Sequence, residues 1–388
     1  MQKNTRIGQY IQGSSLGQEP YLTYLPPPLP PDPPLNMETL YPLLDQANIA
    51  LGRLDGLRLI LPNNASLFLY MYVRKEALLS SQIEGTQSSL ADLLLYENSK
   101  IPGVPLDDVN EVSCYITAMN FGLDQLKNRP LSLRLIKEVH AKLMNNTRGS
   151  DKKAGEFRTS QNWIGGTHPT NAIFVPPPPD RLMQTLDAFE KFLHDENIRL
   201  PILIMAALAH VQFETIHPFL DGNGRLGRLL ITLILHEKGL MKEPLLYLSL
   251  CLKTNKSAYY NHLQAVREKG AWEEWVKFFL KGVAEVATQA TEAAQSIIHL
   301  FQQDYQKIQA SGFATARTFT VYNYLQRHPI AETSDIMKNC KLARSTVLHA
   351  LSTLENLGII KETTGKSRYK IYIYQTYWNT LSNGTNPL

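Results

Sequence analysis

The run HPFLDGNGRLGRLL, beginning at His217, constrains the fold more than any other stretch of this chain. An apolar helical pattern from Pro201 to Thr215 leads into it and stops at Pro218, which cannot continue a helical ladder. A glycine-flanked turn follows, and a second apolar helix starts near Asn223, with Gly239 placed to end it. The free amides of Gly222, Asn223, Gly224 and Arg225 then aim at one point, which makes an anion site by amide count and helix dipole together. Glycines let phosphate oxygens approach the backbone. Arg225 and Arg228, three apart, lean toward the same anion, and Asp221 is a hard oxygen ligand of the kind magnesium takes beside phosphates. His217 is the one group in the run that exchanges a proton near neutral pH.

Blander readings of the same residues are weaker. GNGRLG also fits G-x-G-x-x-G, but a dinucleotide fingerprint follows a strand, and here an apolar helix precedes it. The GKS at Gly365 lacks a glycine five residues upstream, where Ile360 stands. A lone histidine at a helix end is usually structural. An acid, three glycines, an asparagine and two arginines at fixed offsets reverse that expectation for His217.

At 388 residues the chain is too long for one ordinary core, so two or three domains are expected. Its apolar stretches fall short of the roughly 20 residues that cross a bilayer, so no membrane partner is expected. The N-terminus lacks the order of a secretory leader. The three cysteines, Cys114, Cys251 and Cys340, are scattered and odd in number, which points to a reducing cytoplasm. The net charge of +4 is uneven: from Gly312 onward nine Lys or Arg stand against four Asp or Glu, +5 in all, so nucleic-acid affinity would reside there.

The prolines between Pro20 and Pro34 predict an extended strap packed on the surface rather than a docking site. Helical periodicity begins after Asn64, a plausible N-cap, and runs to a break at Gly85. It recurs at Leu106 to Asn128, Leu131 to Asn145 and Arg181 to His194. Between Glu156 and four prolines, β-formers around Gly165-Gly166 predict a hairpin or flap. Helices resume from Ala271, and from Ala314 three helical segments and a two-stranded hairpin have the order of a winged helix. The fold class is mainly α.

The HPFLDGNGRLGR run fits the signature H-P-F-x-[D/E]-G-N-G-R-x-x-R at every specified position, and the chain thereby resembles the Fic family. KAGEFRTSQNWIGG, AIFVPPP and RKEALLSSQIEG look like segments that accompany this signature, so the resemblance covers most of residues 20 to 290. It implies a Fic helical fold with four parts: an N-terminal region carrying an inhibitory helix (1–130), a catalytic core (131–270), connecting helices (271–311) and a winged helix (312–388).

It also implies a protein adenylyltransferase that uses ATP and Mg2+ to place AMP on a Ser, Thr or Tyr hydroxyl of a target protein, or of itself. His217 would be the general base and Asp221 the magnesium ligand. Gly222, Asn223, Gly224, Arg225, Gly227 and Arg228 would hold the phosphates, with Arg228 at the γ-phosphate, and Phe219 would anchor the loop. The flap with Gly165, Gly166 and Phe174 would pair with the target backbone. Of the pair Tyr259-Tyr260, Tyr259 is expected to flank the adenine.

SSQIEG matches the family's inhibitory pattern [S/T]-x-x-x-E-[G/N], with Ser80 and Glu84 on one helical face. By resemblance Glu84 pairs with Arg228 and denies it to the γ-phosphate. Two other readings stay open. One is a DNA-binding regulator whose Fic body senses nucleotide, resting on the basic tail and on Arg344, Ser345 and Thr346. The other is removal of AMP by the same site, with Glu84 orienting water.

Overall fold

The computed structural model describes residues 5–13, 20–60, 65–99, 106–145, 147, 152–365 and 370–387. The expected N-cap Asn64 lies outside them. Two short strands come first, β1 (Gln9–Gly13) and β2 (Tyr21–Leu25), paired antiparallel with Gln9 opposite Leu25. Helices α1 (Tyr41–Ile60), α2 (Ala65–Ile83), α3 (Leu90–Ser99), α4 (Leu106–Gln125) and α5 (Leu133–Leu143) follow. After the flap come α6 (Pro179–His194), α7 (Ile202–Ile216), α8 (Asn223–Glu237), α9 (Ser249–Thr254) and α10 (Lys256–Lys269). The 39-residue helix α11 (Trp272–Ala310) then leads to the last domain. That domain runs α12 (Ala316–Arg327), β3 (Ile330–Glu332), α13 (Thr333–Cys340), α14 (Arg344–Asn356), β4 (Lys361–Glu362), β5 (Ile371–Ile373) and α15 (Gln375–Leu381). Its sheet has the order β3-β5-β4, all antiparallel, which is a winged helix with one more strand and one more helix than the sequence pattern indicates.

The connecting region is thus a single helix, and α1 packs along it. The proline strap is laid on the surface as expected. Arg6 donates to the carbonyls of Pro33 and Pro34 at 2.7 Å, and Gln212 of α7 donates to Pro27 at 2.8 Å.

The core that positions the site is α7, in which every residue from Leu203 to Ile216 is buried. A helix this enclosed leaves its C-terminal carbonyls without water, and they need donors from elsewhere. Arg158, 2% exposed, supplies them: its guanidinium donates to His217 O (2.9 Å), Ile216 O (3.4 Å), Pro177 O (2.5 Å) and Ser160 O (3.3 Å). One side chain therefore closes α7 and ties it to both ends of the flap.

Arg158→Met keeps the stem and removes the donors, leaving buried carbonyls unpaired at a cost of roughly 2–3 kcal/mol. Urea unfolding should show a lower midpoint at unchanged slope. An unchanged midpoint would mean that those carbonyls find other partners.

Candidate active site

Helix α7 ends on His217, which takes the left-handed conformation (φ 48, ψ 61) while its amide returns to Phe213 O at 2.9 Å. A non-glycine residue held there costs of order 1–3 kcal/mol, so the turn is maintained by its surroundings. Asn223 supplies part of that support: its Oδ1 accepts from Phe219 N and its Nδ2 donates to Phe219 O, both at 2.9 Å. Asn162 of the flap base donates to Phe219 O (2.9 Å) and His217 O (3.2 Å). His140 of α5 stacks on the Phe219 ring, centroids 3.7 Å apart. Gly155 N donates to His140 Nδ1 at 2.9 Å, so Nε2 carries the proton and donates to Asp221 O at 2.9 Å. Phe219 is fully buried, the loop anchor that its position suggests.

Around this loop lies a cleft of about 310 Å³ lined by Glu84, Gly85, Glu111, His217, Leu220, Asp221, Gly222, Asn223, Gly224 and Arg225. His217 is half-buried. Burial above all, and the charges of Arg267 and Arg158, push its imidazole down to about 4, so it is neutral at pH 7 and ready to accept a proton rather than poised to titrate. Asp221 Oδ1 accepts from Gly222 N at 2.6 Å and Oδ2 from Lys152 Nζ at 3.0 Å. One of the four amides expected to face an anion is therefore engaged by the neighbouring carboxylate. Arg225 is buried against Glu111 of α4, NH1 to Oε2 at 3.2 Å, and Thr86 Oγ1 donates to the same oxygen at 3.3 Å.

Arg228 lies below the cleft floor, 2% exposed. Its Nε donates to Ser80 Oγ (2.8 Å), and its NH2 to Ser80 O (2.9 Å) and Glu84 Oε1 (2.6 Å). The contact expected between α2 and the motif helix is present. Burial opposes charge on Glu84, yet the charge and hydrogen bond of Arg228 outweigh it and hold the carboxyl below its usual range. The Glu84 carboxylate is seated over Gly224, where an added Cβ would come within 2.2 Å of Oε1. Glycine is required there for that approach, so the carboxylate occupies ground at the N-terminus of α8 that suits an anion.

Two expected ligands stand elsewhere. Tyr259 is fully buried, its OH 2.8 Å from His210 Nε2 and its ring against Trp275, so it is a core residue and does not flank a base. Its neighbour Tyr260, 42% exposed, lies close enough to Glu84 and Arg228 to feel both charges. Gly227 also faces inward, where a Cβ would meet Glu214 Oε1 at 2.2 Å, so its bareness accommodates that buried carboxylate. Glu214 Oε1 has no hydrogen-bond partner, and burial, resisted by Arg228, pushes its carboxyl up to about 7.

The flap is a minimal hairpin: Ile164 N donates to Phe174 O at 2.8 Å and Phe174 N to Ile164 O at 3.2 Å. Gly165 and Gly166 turn it, both at φ 70. Phe174 is 4% exposed, with its ring on Tyr24 and under the Arg267 guanidinium, and both its backbone groups are engaged by Ile164. Trp163 and Ile173 are the flap's exposed apolar side chains, at 37% and 73%.

His140, Glu111 and Glu214 carry no signal in the chain read alone, because what distinguishes them is proximity, whereas Tyr260 belongs to the pair of which Tyr259 is the expected ligand. Arg158 and Asn162 fall inside KAGEFRTSQNWIGG, a segment that flagged them without giving their tasks. Among the described residues no group of three His, Cys, Asp or Glu could hold a metal by itself. No helix among them is long and apolar enough to cross a membrane.

Comparison with known proteins follows this geometry. Residues 41–124 match the Fic/DOC family N-terminal profile, residues 130–235 the Fic/DOC family, and residues 316–361 the winged helix-turn-helix DNA-binding profile. The chain is 31% identical over 233 residues to the protein adenylyltransferase Fic of Drosophila erecta, covering 58% of this chain and 43% of that protein. With the same enzyme of Aedes aegypti it shares 33% over 202 residues, 50% of this chain and 37% of that one. The chain thus spans less than half the length of these curated relatives. In fold it is similar to a Fic family protein from Desulfovibrio desulfuricans (TM-score 0.55, 20% identity, 86% of this chain and 96% of that one). A Fic domain containing signalling protein from Bacteroides thetaiotaomicron is also similar (TM-score 0.53, 20% identity, 66% and 97%). A loop built on His217 before the N-terminus of α8, a facing helix that brings Glu84 to Arg228, and these matches lead to one assignment: the chain carries a Fic/DOC N-terminal region, a Fic/DOC domain and a winged helix, and resembles the Fic adenylyltransferases.

Proposed function

We propose that this protein is an autoinhibited protein adenylyltransferase, transferring AMP from ATP to a hydroxyl side chain of a target protein or of itself. The observation that carries the proposal is that one cleft brings together a neutral imidazole, a helix N-terminus and Glu84, the carboxylate that Arg228 holds. Neutral His217 takes the proton of the target hydroxyl. The freed oxygen attacks the α-phosphorus, a new P–O bond forms, and the bond to the bridging oxygen breaks with release of pyrophosphate. The amides at the start of α8 and Arg225, held by Glu111, receive the charge that develops on the phosphates.

Magnesium fits this site through Asp221, a half-exposed carboxylate on the cleft wall. A hard cation that draws most of its ligands from phosphates and water needs only one or two protein carboxylates, and it would supply charge neutralisation there. The exposed tip of the flap, with Trp163 and Ile173 turned outward, is where an extended target segment would lie.

Glu84 is the brake. Its carboxylate occupies Arg228 and the space over Gly224, so the γ-phosphate has neither, and the α-phosphate is misaligned for attack. A charge-assisted contact of this kind is worth roughly 1.5–3 kcal/mol, which corresponds to about 10- to 100-fold in rate. Because the Glu84 side chain is 37% exposed, the lower half of that range applies.

Incorporation of α-labelled ATP should therefore rise by about 10-fold or more in Glu84→Gly and disappear when His217→Ala is added. His217→Ala alone should still bind ATP, since phosphates are held by amides and arginines. A Glu84→Gly protein that is folded and no faster than wild type would remove the brake.

The lowered pKa of His217 sets the pH dependence. A base at about 4 loses function only as pH falls far enough to protonate it, so transfer by Glu84→Gly should be flat from about pH 8 to about pH 6 and decline below about pH 5. Half-loss near pH 6.5 would place the imidazole in water instead.

A second reading, DNA binding through the winged helix, is favoured by exposure of Arg344, Ser345 and His349 at the start of α14 together with the +5 tail. If DNA binds there, affinity falls steeply with salt through counterion release, and Arg344→Ala flattens the slope. Negligible binding at low salt would leave the domain as a protein-interaction module.

A further inference from the structure

Two buried polar side chains next to the brake take no part in the chemistry above. Gln82 lies two residues before Glu84 on α2 and is 1% exposed. Its Nε2 donates to Thr385 O at 2.9 Å and to Ser88 O at 2.8 Å, while its Oε1 accepts from Lys253 Nζ of α9 at 2.7 Å. Lys253 Nζ also donates to Gly384 O at 3.3 Å and to Asn386 O. One amide and one ammonium therefore take the carbonyls of three successive residues, 384 to 386. Thr385 is 2% exposed, and a Cβ on Gly384 would come 2.6 Å from Leu250 Cδ1. The segment is closely fitted rather than draped over the surface.

Its other end is anchored in the winged helix. The segment follows α15, whose Tyr377 is fully buried with its ring edge-on to Phe301 of α11, centroids 5.1 Å apart. Helix α15 in turn follows β5, the central strand of the wing sheet. Just before α15, Tyr374 OH donates to Asp304 Oδ2 at 2.7 Å. The chain thus runs from the wing, across α11, to the last turn of α2, which Glu84 follows directly.

We propose that Gln82 and Lys253 form a groove that reads peptide backbone, that its occupant is residues 384–386 of this chain, and that occupancy holds α2 where Glu84 reaches Arg228. The inference rests on the autoinhibitory reading of Glu84. Recognition through carbonyls asks little of the side chains beyond a bare position at Gly384, so most of the selectivity comes from the tether, which presents the segment at high effective concentration. Loss of the segment takes from the buried Lys253 ammonium two of its three acceptors and from the Gln82 amide one of its two, leaving Gln82 Oε1 and Ser88 O, a deficit relieved by movement of α2 or entry of water. A ligand on the winged helix that favours a displaced β5 and α15 acts on Glu84 through this segment, and only by its difference in affinity for the two arrangements.

The test uses the full chain, a version ending at Asn383, Lys253→Met, Glu84→Gly, and Glu84→Gly in the version ending at Asn383. Two quantities are read: hydrogen exchange over Ser80 to Gly85, and incorporation of α-labelled ATP. The shortened chain and Lys253→Met should both exchange faster over Ser80 to Gly85 and transfer AMP about 3- to 10-fold faster, a change of roughly 1 kcal/mol. Shortening in the Glu84→Gly background should add less than about twofold, because the brake that the groove positions is already gone. Exchange and transfer at wild-type values in both the shortened chain and Lys253→Met, with Glu84→Gly fast, would overturn the proposal. If Glu84→Gly is itself no faster than wild type, the brake reading fails and the groove's regulatory role falls with it, through an arm that leaves the groove intact. Should the shortened chain unfold, Lys253→Met decides alone.

Discussion

A guanidinium cannot be made neutral by burial, so Arg228 at 2% exposure must have a counter-ion, and the rest of the site is arranged around which one it takes. Ser80 holds the Nε edge through its hydroxyl and the NH2 through its carbonyl, which fixes the group's plane whatever lies beyond it. The remaining direction points at Glu84, whose side chain is 37% exposed at the lip of the cleft. The arrangement therefore pairs a fixed cation with an exchangeable anion. Under the proposed function an incoming phosphate would compete with Glu84 without having to rebuild the arginine's support. Because Ser80 sits on α2, Glu84 in the turn that ends it and Arg228 on α8, the same contact joins the N-terminal region to the helix that follows the His217 loop.

The left-handed turn at His217 depends on a wider set of residues than the motif contains. Arg158 and Asn162 hold its carbonyl, Phe213 O takes its amide, and His140 supports the loop from below by stacking on Phe219 and donating to Asp221 O. Such a scaffold keeps the imidazole in one place and out of bulk water, which is also why burial lowers its pKa. Position and protonation state have a common cause. The burial of α7 that creates the need for Arg158 is the same burial that makes the imidazole a neutral acceptor.

Much of the His217 loop was legible because its pattern is local: the turn glycines, the start of α8 and the acid lie within a dozen residues of His217. The winged helix was legible in its order of helices and hairpin, although β3 and α15 were too short to register. Helix α1 left no clear trace, since Gly52 and Gly56 interrupt a segment whose apolar residues face both α11 and other neighbours. The β1 and β2 pair was masked by the prolines that follow it. Tyr259 and Tyr260 show the limit of spacing most plainly. One helical step apart, they differ by 100° in direction, and periodicity alone could not say that His210 and Trp275 wait on one side and solvent lies on the other. Glu111 and Gln82 depend on contacts across more than a hundred residues of chain, which no local pattern encodes.

The central claim is that Arg228 is shared between Glu84 and the terminal phosphate of the nucleotide. Equilibrium titration of wild type and Glu84→Gly with ATP, ADP and AMP in the presence of magnesium tests it without requiring turnover. Removal of the carboxylate should tighten ATP by about tenfold, at roughly 1.4 kcal/mol, and change ADP and AMP by less than about twofold, because only ATP carries the group that competes for the arginine. Equal tightening of all three nucleotides, or none for ATP, would contradict the account.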